Sequence, residues 1–359
     1  MKFAIIGCGR ISTNHLKAAL ANDLAIAAVC DLVPERMDQL LVEHNLAQDR
    51  NIGLYTDYRK MLEEVKPDLV AIATESGSHG AIALDSIEAG CHLIIEKPIT
   101  LSLAEADAII EKAAAKKVKV CACHQNRFNL SIQHMRKAVD QERFGRLSHG
   151  CVHVRWNRNK DYYTQAPWRG TWAQDGGALM NQSIHGLDLL RWLMGDEIEE
   201  LFAYTARQFH PYLECEDVGL AVLKFKSGAI GTVEGTTNVY PANLEETIYL
   251  FGQNGTAKVG GKSANTIEVW QFADQKPEDD GLKNGLQEEV ANVYGNGHTA
   301  LYEDVIKAID DDRPPYIDAA AGRRALELVL AIYKSAAEGK PVKLPLSECA
   351  TTDFTGLFS

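Results

Sequence analysis

Between Asp175 and Gly195 the chain reads DGGALMNQSIHGLDLLRWLMG. Gly177, Asn181, His185 and Asp188 recur at helical spacing, so a helix here carries an amide, an imidazole and a carboxylate on one stripe. Leu179, Ile184, Leu187, Leu190 and Trp192 fall on the other side and predict its core face. An imidazole beside a carboxylate can move a proton near neutral pH, because the carboxylate favours the imidazolium and strengthens the base. A buried histidine merely satisfied by Asp188 would look the same. A second candidate is Lys97, which follows the apolar strand His92–Ile95 in the string Glu96-Lys97-Pro98. Pro98 biases Lys97 toward an extended backbone, and an ammonium held there can stabilise a developing alkoxide or share in proton transfer.

The elements that must position these groups begin at the first residue. Lys2–Ile6 is a short apolar run, GCGRIS follows, an amphipathic stretch comes next, and a strand over residues 25–30 ends on Asp31. Strand, glycine turn, helix, strand and acid form the dinucleotide-binding arrangement. Gly7 permits the tight turn, Gly9 lets the backbone approach a pyrophosphate on the helix N-terminus, and Ser12 replaces the usual third glycine. Asp31 accepts from a ribose 2′-hydroxyl and repels a 2′-phosphate; Leu32 and Val33 supply no arginine for that phosphate, which favours NAD over NADP. Capping of the helix that starts at Pro34 is the alternative role for Asp31.

Helices over residues 34–44, 57–65, 79–89 and 103–117 alternate with strands over 68–73, 92–95 and 118–123, which predicts a parallel, doubly wound sheet. Ligands in such sheets bind beyond the carboxyl ends of the strands, at the loops starting at Gly7, Asp31, Thr74, Glu96 and His124. From about Leu147 the pattern changes to alternation, interrupted by the aromatic, basic loop RWNRNKDYYTQAPWRGTW over residues 155–172. Runs over 148–156, 199–207, 217–226, 229–239, 245–251, 256–259 and 267–272, with Ser227-Gly228 and Asn254-Gly255 as turns, predict an open, mostly antiparallel sheet. One face of such a sheet is free for another copy, so a homo-oligomer is expected. Residues 276–297 read as a surface loop, and helices over 299–311 and 319–338 close the chain, the last expected to pack back on the first domain.

With 359 residues, two domains are expected: residues 1–124 and 125–359. The fold class is α/β. A net charge of −12 argues against nucleic acid and anionic membranes as partners. MKFAIIGCG enters a strand at once, no apolar run reaches membrane-spanning length, and eight cysteines lack framework spacing; a cytoplasmic protein with reduced core cysteines and no metal site is expected.

GCGRIS with Asp31, the Glu96-Lys97-Pro98 string and the glycine-led helix with His185 and Asp188 together resemble the Gfo/Idh/MocA oxidoreductases over essentially the whole chain. The resemblance implies an N-terminal Rossmann domain, a C-terminal α+β domain with an open sheet, and homodimers or homotetramers. It implies Lys97 and His185 as the catalytic pair, with Asp188 orienting His185. It places the NAD contacts at Gly7, Gly9, Arg10, Ile11, Asp31, Thr74, Ser76, His79, Glu96, Lys97, Asn126, Trp168 and Arg169. Many members carry aspartate where this chain has Asn181, so His185 is the natural general base and Asn181 a substrate hydrogen-bonder. The 155–172 loop and GGALMNQSIHGLDLLRW look most like the nucleotide-sugar 3-dehydrogenases, which act on UDP-N-acetylglucosamine or its uronic acid. A diphosphate needs cations, and Arg155, Arg158, Lys160 and Arg169 are available; Tyr162, Tyr163, Trp168 and Trp172 are candidates to stack on a base or sugar. An oligomer contact or a cofactor lid is the alternative use of this loop. The implied substrate set is Lys97, Arg155, Arg158, Tyr163, Asn181 and His185. Two rival functions remain: a dehydrogenase of free polyols or inositol (or a reductase of a sugar lactone or imine), and a catalytically silent NAD-sensing regulator.

Overall fold

The computed structural model describes residues 1–195, 197–283, 286 and 296–359, in two compact units. The first comprises Met1–His124 and His298–Arg323, the second Gln125–Gly297 and Arg324–Ser359. Half of the surface loop expected over 276–297 lies outside the described residues, and Asp279–Lys283 forms a short helix.

The first unit is built on six parallel strands: β1 (Lys2–Ile6), β2 (Ala25–Cys30), β3 (Gly53–Tyr55), β4 (Leu69–Ile72), β5 (His92–Ile95) and β6 (Val120–Ala122). Their spatial order is β3-β2-β1-β4-β5-β6. Phe3 to Ile6, Leu69 to Ile72 and Leu93 to Ile95 are buried without a break, as strands covered on both faces require. The order reverses between β1 and β4, which creates the crevice where nucleotides bind in this architecture. Five helices connect the strands: α1 (Ser12–Ala21), α2 (Pro34–Glu43), α3 (Tyr58–Val65), α4 (His79–Glu88) and α5 (Leu103–Lys116). The start of α3 is fixed by Asp57, whose carboxylate accepts from Arg59 N at 2.9 Å. Strand β3 was not expected; three residues at a sheet edge are too few to show a period.

The second unit carries eight strands, β7 (Leu147–Arg155), β8 (Ile198–Ala206), β9 (Val218–Phe225), β10 (Ile230–Thr236), β11 (Glu245–Gly252), β12 (Gly255–Gly260), β13 (Thr266–Phe272) and β14 (Val342–Lys343). Their order is β13-β12-β11-β7-β10-β9-β8-β14. The sheet is open and mostly antiparallel as expected, with one parallel pair at its centre, β7 beside β10, registered from Ile230↔His149 to Thr236↔Arg155. The helix Leu130–Asp140, α6, was also not expected, although its buried Ile132, Met135 and Ala138 carry helical spacing. Two more helices of this unit, α7 (Lys160–Thr164) and α8 (Ile184–Leu193), belong to the candidate site.

The chain's return differs from expectation. The helix Gly297–Asp310 joins the first unit from His298 onward, where Tyr302 is fully buried beside Phe3. Of the last helix, Ala319–Glu338, only the first turn, up to Arg323, belongs to the first unit; Gly322 lies so near Ala122 that an added Cβ would come within 2.5 Å of its side chain. The remainder belongs to the second unit because its polar groups are used there: Glu327 pairs with Arg191 at 3.1 Å, and Tyr333 donates to Glu216.

Candidate active site

In the first unit the glycine turn has the geometry that a dinucleotide needs. Gly7 adopts φ +94°, and a Cβ there would lie 2.5 Å from the Ala73 carbonyl oxygen, so only glycine fits. At Gly9 a Cβ would meet nothing within 4 Å, which leaves room at the start of α1 for a phosphate to approach the backbone. Arg10 and Ile11 close the turn, and the Ser12 hydroxyl donates to the Gly9 carbonyl while fitting a fully buried position. Asp31 is held by Cys8 N and Val33 N, each at 2.8 Å, at the end of β2 where a ribose is expected. Arg36, in the first turn of α2, places its Nη1 3.7 Å from Asp31 Oδ1. This arginine lies beyond Leu32 and Val33, and the phase of a helix starting at Pro34 brings it back to Asp31. The residues present therefore fit NAD.

The Glu96 side chain faces inward instead of lining the cofactor crevice. His15 Nε2 lies 3.0 Å from its Oε1, His298 Nε2 3.8 Å, and its Oε2 accepts from Lys97 N at 3.1 Å. Burial alone would raise the carboxyl, but the two imidazoles outweigh it and hold Glu96 well below the usual range. With Cys123 these side chains bring donor atoms within 4.8 Å of one another. The His15 nitrogen that could serve a metal is already committed to Glu96, so the cluster acts as a buried anion with its own hydrogen-bond shell. It ties α1, the end of β5 and the helix Gly297–Asp310 together directly behind half-buried Lys97. His79 plays a related part: its ring nitrogens lie 2.8 Å from the Pro98 carbonyl and 3.2 Å from that of Thr74, bridging two loops. Ser78 donates to the Thr74 hydroxyl, and Ser76 is buried in the same turn.

In the second unit the central helix is not uniformly α. Ala178–Ser183 is wound as a π-helix, and α8 follows from Ile184 with His185 buried in its first turn. Wider π turns often mark functional sites, and here one sets the direction of Asn181. Asn181 donates to Asp175 and receives the Tyr162 hydroxyl at 3.5 Å, while Gln182 donates to Tyr162 at 2.9 Å. Asp188 is gripped through two N–H donors by Arg127, at 2.7 and 2.6 Å. Its charge partner is therefore a guanidinium 61 positions away, beyond the reach of any local spacing. Leu179, Ile184, Leu187 and Leu190 form the expected core face; Trp192 does not, lying instead between the cations of Arg127 and Arg136, each 4.8 Å from its ring.

Two buried carboxyls flank this helix. Glu216 accepts from Leu179 N at 2.8 Å and Tyr333 OH at 3.0 Å, and a Cβ on Gly177 would overlap its Oε2. Glu246 accepts from Asn126 at 3.4 Å, which places Asn126, an expected cofactor contact, in the interior of the second unit. Burial pushes both carboxyls up to about 8, more than these hydrogen bonds lower them.

The 155–172 loop divides. Arg155 is spent on the sheet, pairing with Glu234 at 2.5 Å and Glu245 at 2.7 Å from neighbouring strands. Tyr163 is buried with its hydroxyl 3.3 Å from Thr237, and Trp172 is in the core against Tyr333 and Phe354. In place of the ligand contacts expected of them, Tyr163 and Trp172 are buried in the unit's interior and Arg155 is paired with two glutamates. Tyr162, Trp168, Arg158 and Arg169 remain half-buried. Arg169 lies 4.1 Å from the Tyr162 ring and 4.6 Å from that of Trp168; Arg158 lies 5.0 Å from the Trp156 ring and 5.1 Å from Tyr162. Among the described residues neither guanidinium meets a carboxylate; Arg158 donates to Asn157 O and to Asn243 Oδ1. Asn243, Gln182 and Asp175 are parts of this site that carried no sequence signal.

A six-stranded parallel sheet in the order 3-2-1-4-5-6, a glycine turn and Asp31 define a dinucleotide-dependent oxidoreductase. The chain belongs to the Gfo/Idh/MocA oxidoreductases: residues 1–124 match the family's NAD-binding Rossmann fold and residues 136–344 its C-terminal alpha/beta domain. It is 36% identical to the WlbA dehydrogenase from Bordetella pertussis, whose structure holds NADH and UDP-GlcNAcA, over 96% of this chain and 99% of that one, with a TM-score of 0.86. It is 27% identical to UDP-N-acetylglucosamine 3-dehydrogenase from Acidithiobacillus ferrooxidans, covering 92% of this chain and 96% of the relative. Identity to myo-inositol 2-dehydrogenase from Thermotoga maritima is 26%, covering 96% and 98%. The chain is an NAD-dependent dehydrogenase.

The neutral carboxyl of Glu216 gives a testable pH dependence. Folded, it keeps its proton up to about pH 8, whereas an unfolded glutamate releases it near 4.5. Folding stability from this group is complete below the unfolded value and is lost as pH rises toward the folded one, by about 1.4 kcal/mol per unit inside that window. Glu216→Gln, neutral at every pH, is expected to lose less thermal stability than wild type between pH 5 and pH 8; an equal or steeper loss in the variant would refute the assignment.

Proposed function

We propose that the chain oxidises a secondary hydroxyl, at C3, of a UDP-N-acetylhexosamine or its uronic acid to the keto sugar. The observation that carries this reading is the pair Arg158 and Arg169: two half-buried guanidinium groups share the Tyr162 ring and meet no carboxylate among the described residues. A diphosphate supplies the charge they lack. The UDP-sugar held by the WlbA dehydrogenase, 36% identical over nearly the whole chain, supports the same class. We assign the first unit to the cofactor and the second to the substrate.

When bound, NAD accepts the hydride from the carbinol carbon. His185 takes the hydroxyl proton as general base, and Lys97 stabilises the negative charge that grows on the same oxygen. Asn181, already tied to Asp175 and Tyr162, orients a sugar hydroxyl. Asp188 and Arg127 hold α8, and with it His185, in place. A homo-oligomer formed through the open sheet suits the exposed Tyr204, Leu220, Val222 and Ile230 on its outer face. A cytoplasmic setting suits the eight unbridged cysteines, and no helix of the described residues is long and apolar enough to cross a membrane.

The inositol dehydrogenase relative keeps a second reading in view: oxidation of a free polyol. Calorimetry with UDP separates the two. Wild type is expected to bind UDP, and Arg158→Ala or Arg169→Ala to weaken it by at least tenfold, in line with the loss of a charged hydrogen-bond partner. Absence of UDP binding by the wild type would favour the polyol. Lys97→Ala and His185→Ala are each expected to lower turnover by ~10²-fold or more while NAD still binds; near-normal rates in both variants would discard the catalytic roles.

A further inference from the structure

Arg158 is anchored through its backbone by a residue 52 positions away. Its N–H donates to the Thr237 carbonyl at 3.1 Å, and its carbonyl lies 2.7 Å from His210 Nε2. The other imidazole nitrogen, Nδ1, lies 3.0 Å from Asp217 Oδ2. The ring is thus tied at both ends, to the Asp217 carboxylate and to the Arg158 carbonyl. Asp217 is fully buried and also accepts from the N–H groups of Gln208, Phe209 and His210 and from Asn238 Nδ2. Burial raises this carboxyl, but the donors prevail and bring it down to about 2, so it is an anion throughout the neutral range. The His210 ring is packed between Tyr163 and Tyr212, with centroids 5.4 and 5.6 Å away. A buried anion, a ring held by two tyrosines and a peptide carbonyl thus form one chain ending at Arg158, which meets no carboxylate among the described residues.

We propose that His210, fixed by Asp217, is a positioning residue for anion recognition: it holds the Arg158 backbone so that the guanidinium stays over the Trp156 and Tyr162 rings. Neither nitrogen of His210 is left to touch a ligand, so it acts through Arg158 alone. Phosphate contacts are sensitive to small displacements, and the loop between β8 and β9 thereby becomes part of the specificity for a diphosphate. This inference rests on the reading that Arg158 meets the substrate's diphosphate.

The test is UDP binding to the full chain, measured by calorimetry with NAD present, across Arg158→Ala, His210→Ala, His210→Phe, His210→Gln and the Arg158→Ala/His210→Ala double variant. His210→Phe keeps the packed ring but donates nothing, so it serves if the alanine variant does not fold. His210→Gln keeps a donor where Nε2 stands. The expected result is a loss of about tenfold in UDP affinity for His210→Ala or His210→Phe. Recovery toward wild type is expected in His210→Gln, and no further loss in the double variant beyond Arg158→Ala, with NAD affinity kept throughout. Full affinity in both His210→Ala and His210→Phe, or losses that add in the double variant, would overturn the positioning role while leaving the diphosphate reading intact. Unchanged affinity in Arg158→Ala would overturn both.

Discussion

A guanidinium taken out of water must be given an anion, and this requirement organises the second unit. The cost of leaving a buried charge unpaired is several kcal/mol, more than most single contacts return. The three buried arginines obey it: Arg127 meets Asp188, Arg143 meets Asp279, and Arg191 meets Glu327. Half-buried Arg155 obeys it too, drawing a glutamate from the strand on each side. Half-buried Arg207 is met instead by the backbone carbonyls of Leu213 and Phe358; Arg158 and Arg169 depart from the rule in another way. Aromatic faces and amide oxygens hold them in place without neutralising them. In the proposed reading, that uncancelled charge is what the substrate's diphosphate meets.

The catalytic groups are braced by pairs of a different kind. The Arg127–Asp188 fork fixes α8 one turn beyond His185, and neutral Glu216 receives the amide of Leu179 at the start of the π turn. Gly177 is needed there because any side chain would collide with Glu216. In the first unit, Glu96 does for Lys97 what these groups do for His185. It is an anion surrounded by imidazoles, and it locks the strand end from behind while the lysine side chain remains half-buried. Both proposed catalytic residues thus stand on supports fixed by buried hydrogen bonds and ion pairs, which help to hold a reactive group to a fraction of an ångström.

Much of this was legible in the sequence wherever a local rule applied. Unbroken apolar runs placed β1, β4 and β5 to within a residue or so, and glycine turns with Asp31 marked the nucleotide crevice. The stripe from Gly177 to Asp188 located the central helix. What escaped depends on contacts between distant segments. Arg127 and Asp188 are 61 residues apart, and Arg155 finds its glutamates 79 and 90 positions away, so no spacing rule links them. Aromatic residues misled for the same reason: Tyr162 and Trp172 look alike in a basic loop, yet only the fold decides that Trp172 fills the core while Tyr162 carries two arginines. The π turn likewise has no sequence signature, although its consequence, an Asn181 directed at Asp175 and Tyr162, shapes the site.

The central claim, that uncancelled arginine charge selects a nucleotide-linked sugar, is met most directly by nicotinamide absorbance in a substrate panel. The purified chain with NAD would be offered UDP-N-acetylglucosamine, UDP-N-acetylglucosaminuronate, myo-inositol and glucose, each with and without 2-oxoglutarate. The account predicts reduction of the nicotinamide, or a keto product, only with a UDP-linked sugar. Turnover with inositol or glucose and none with either UDP-sugar would contradict it.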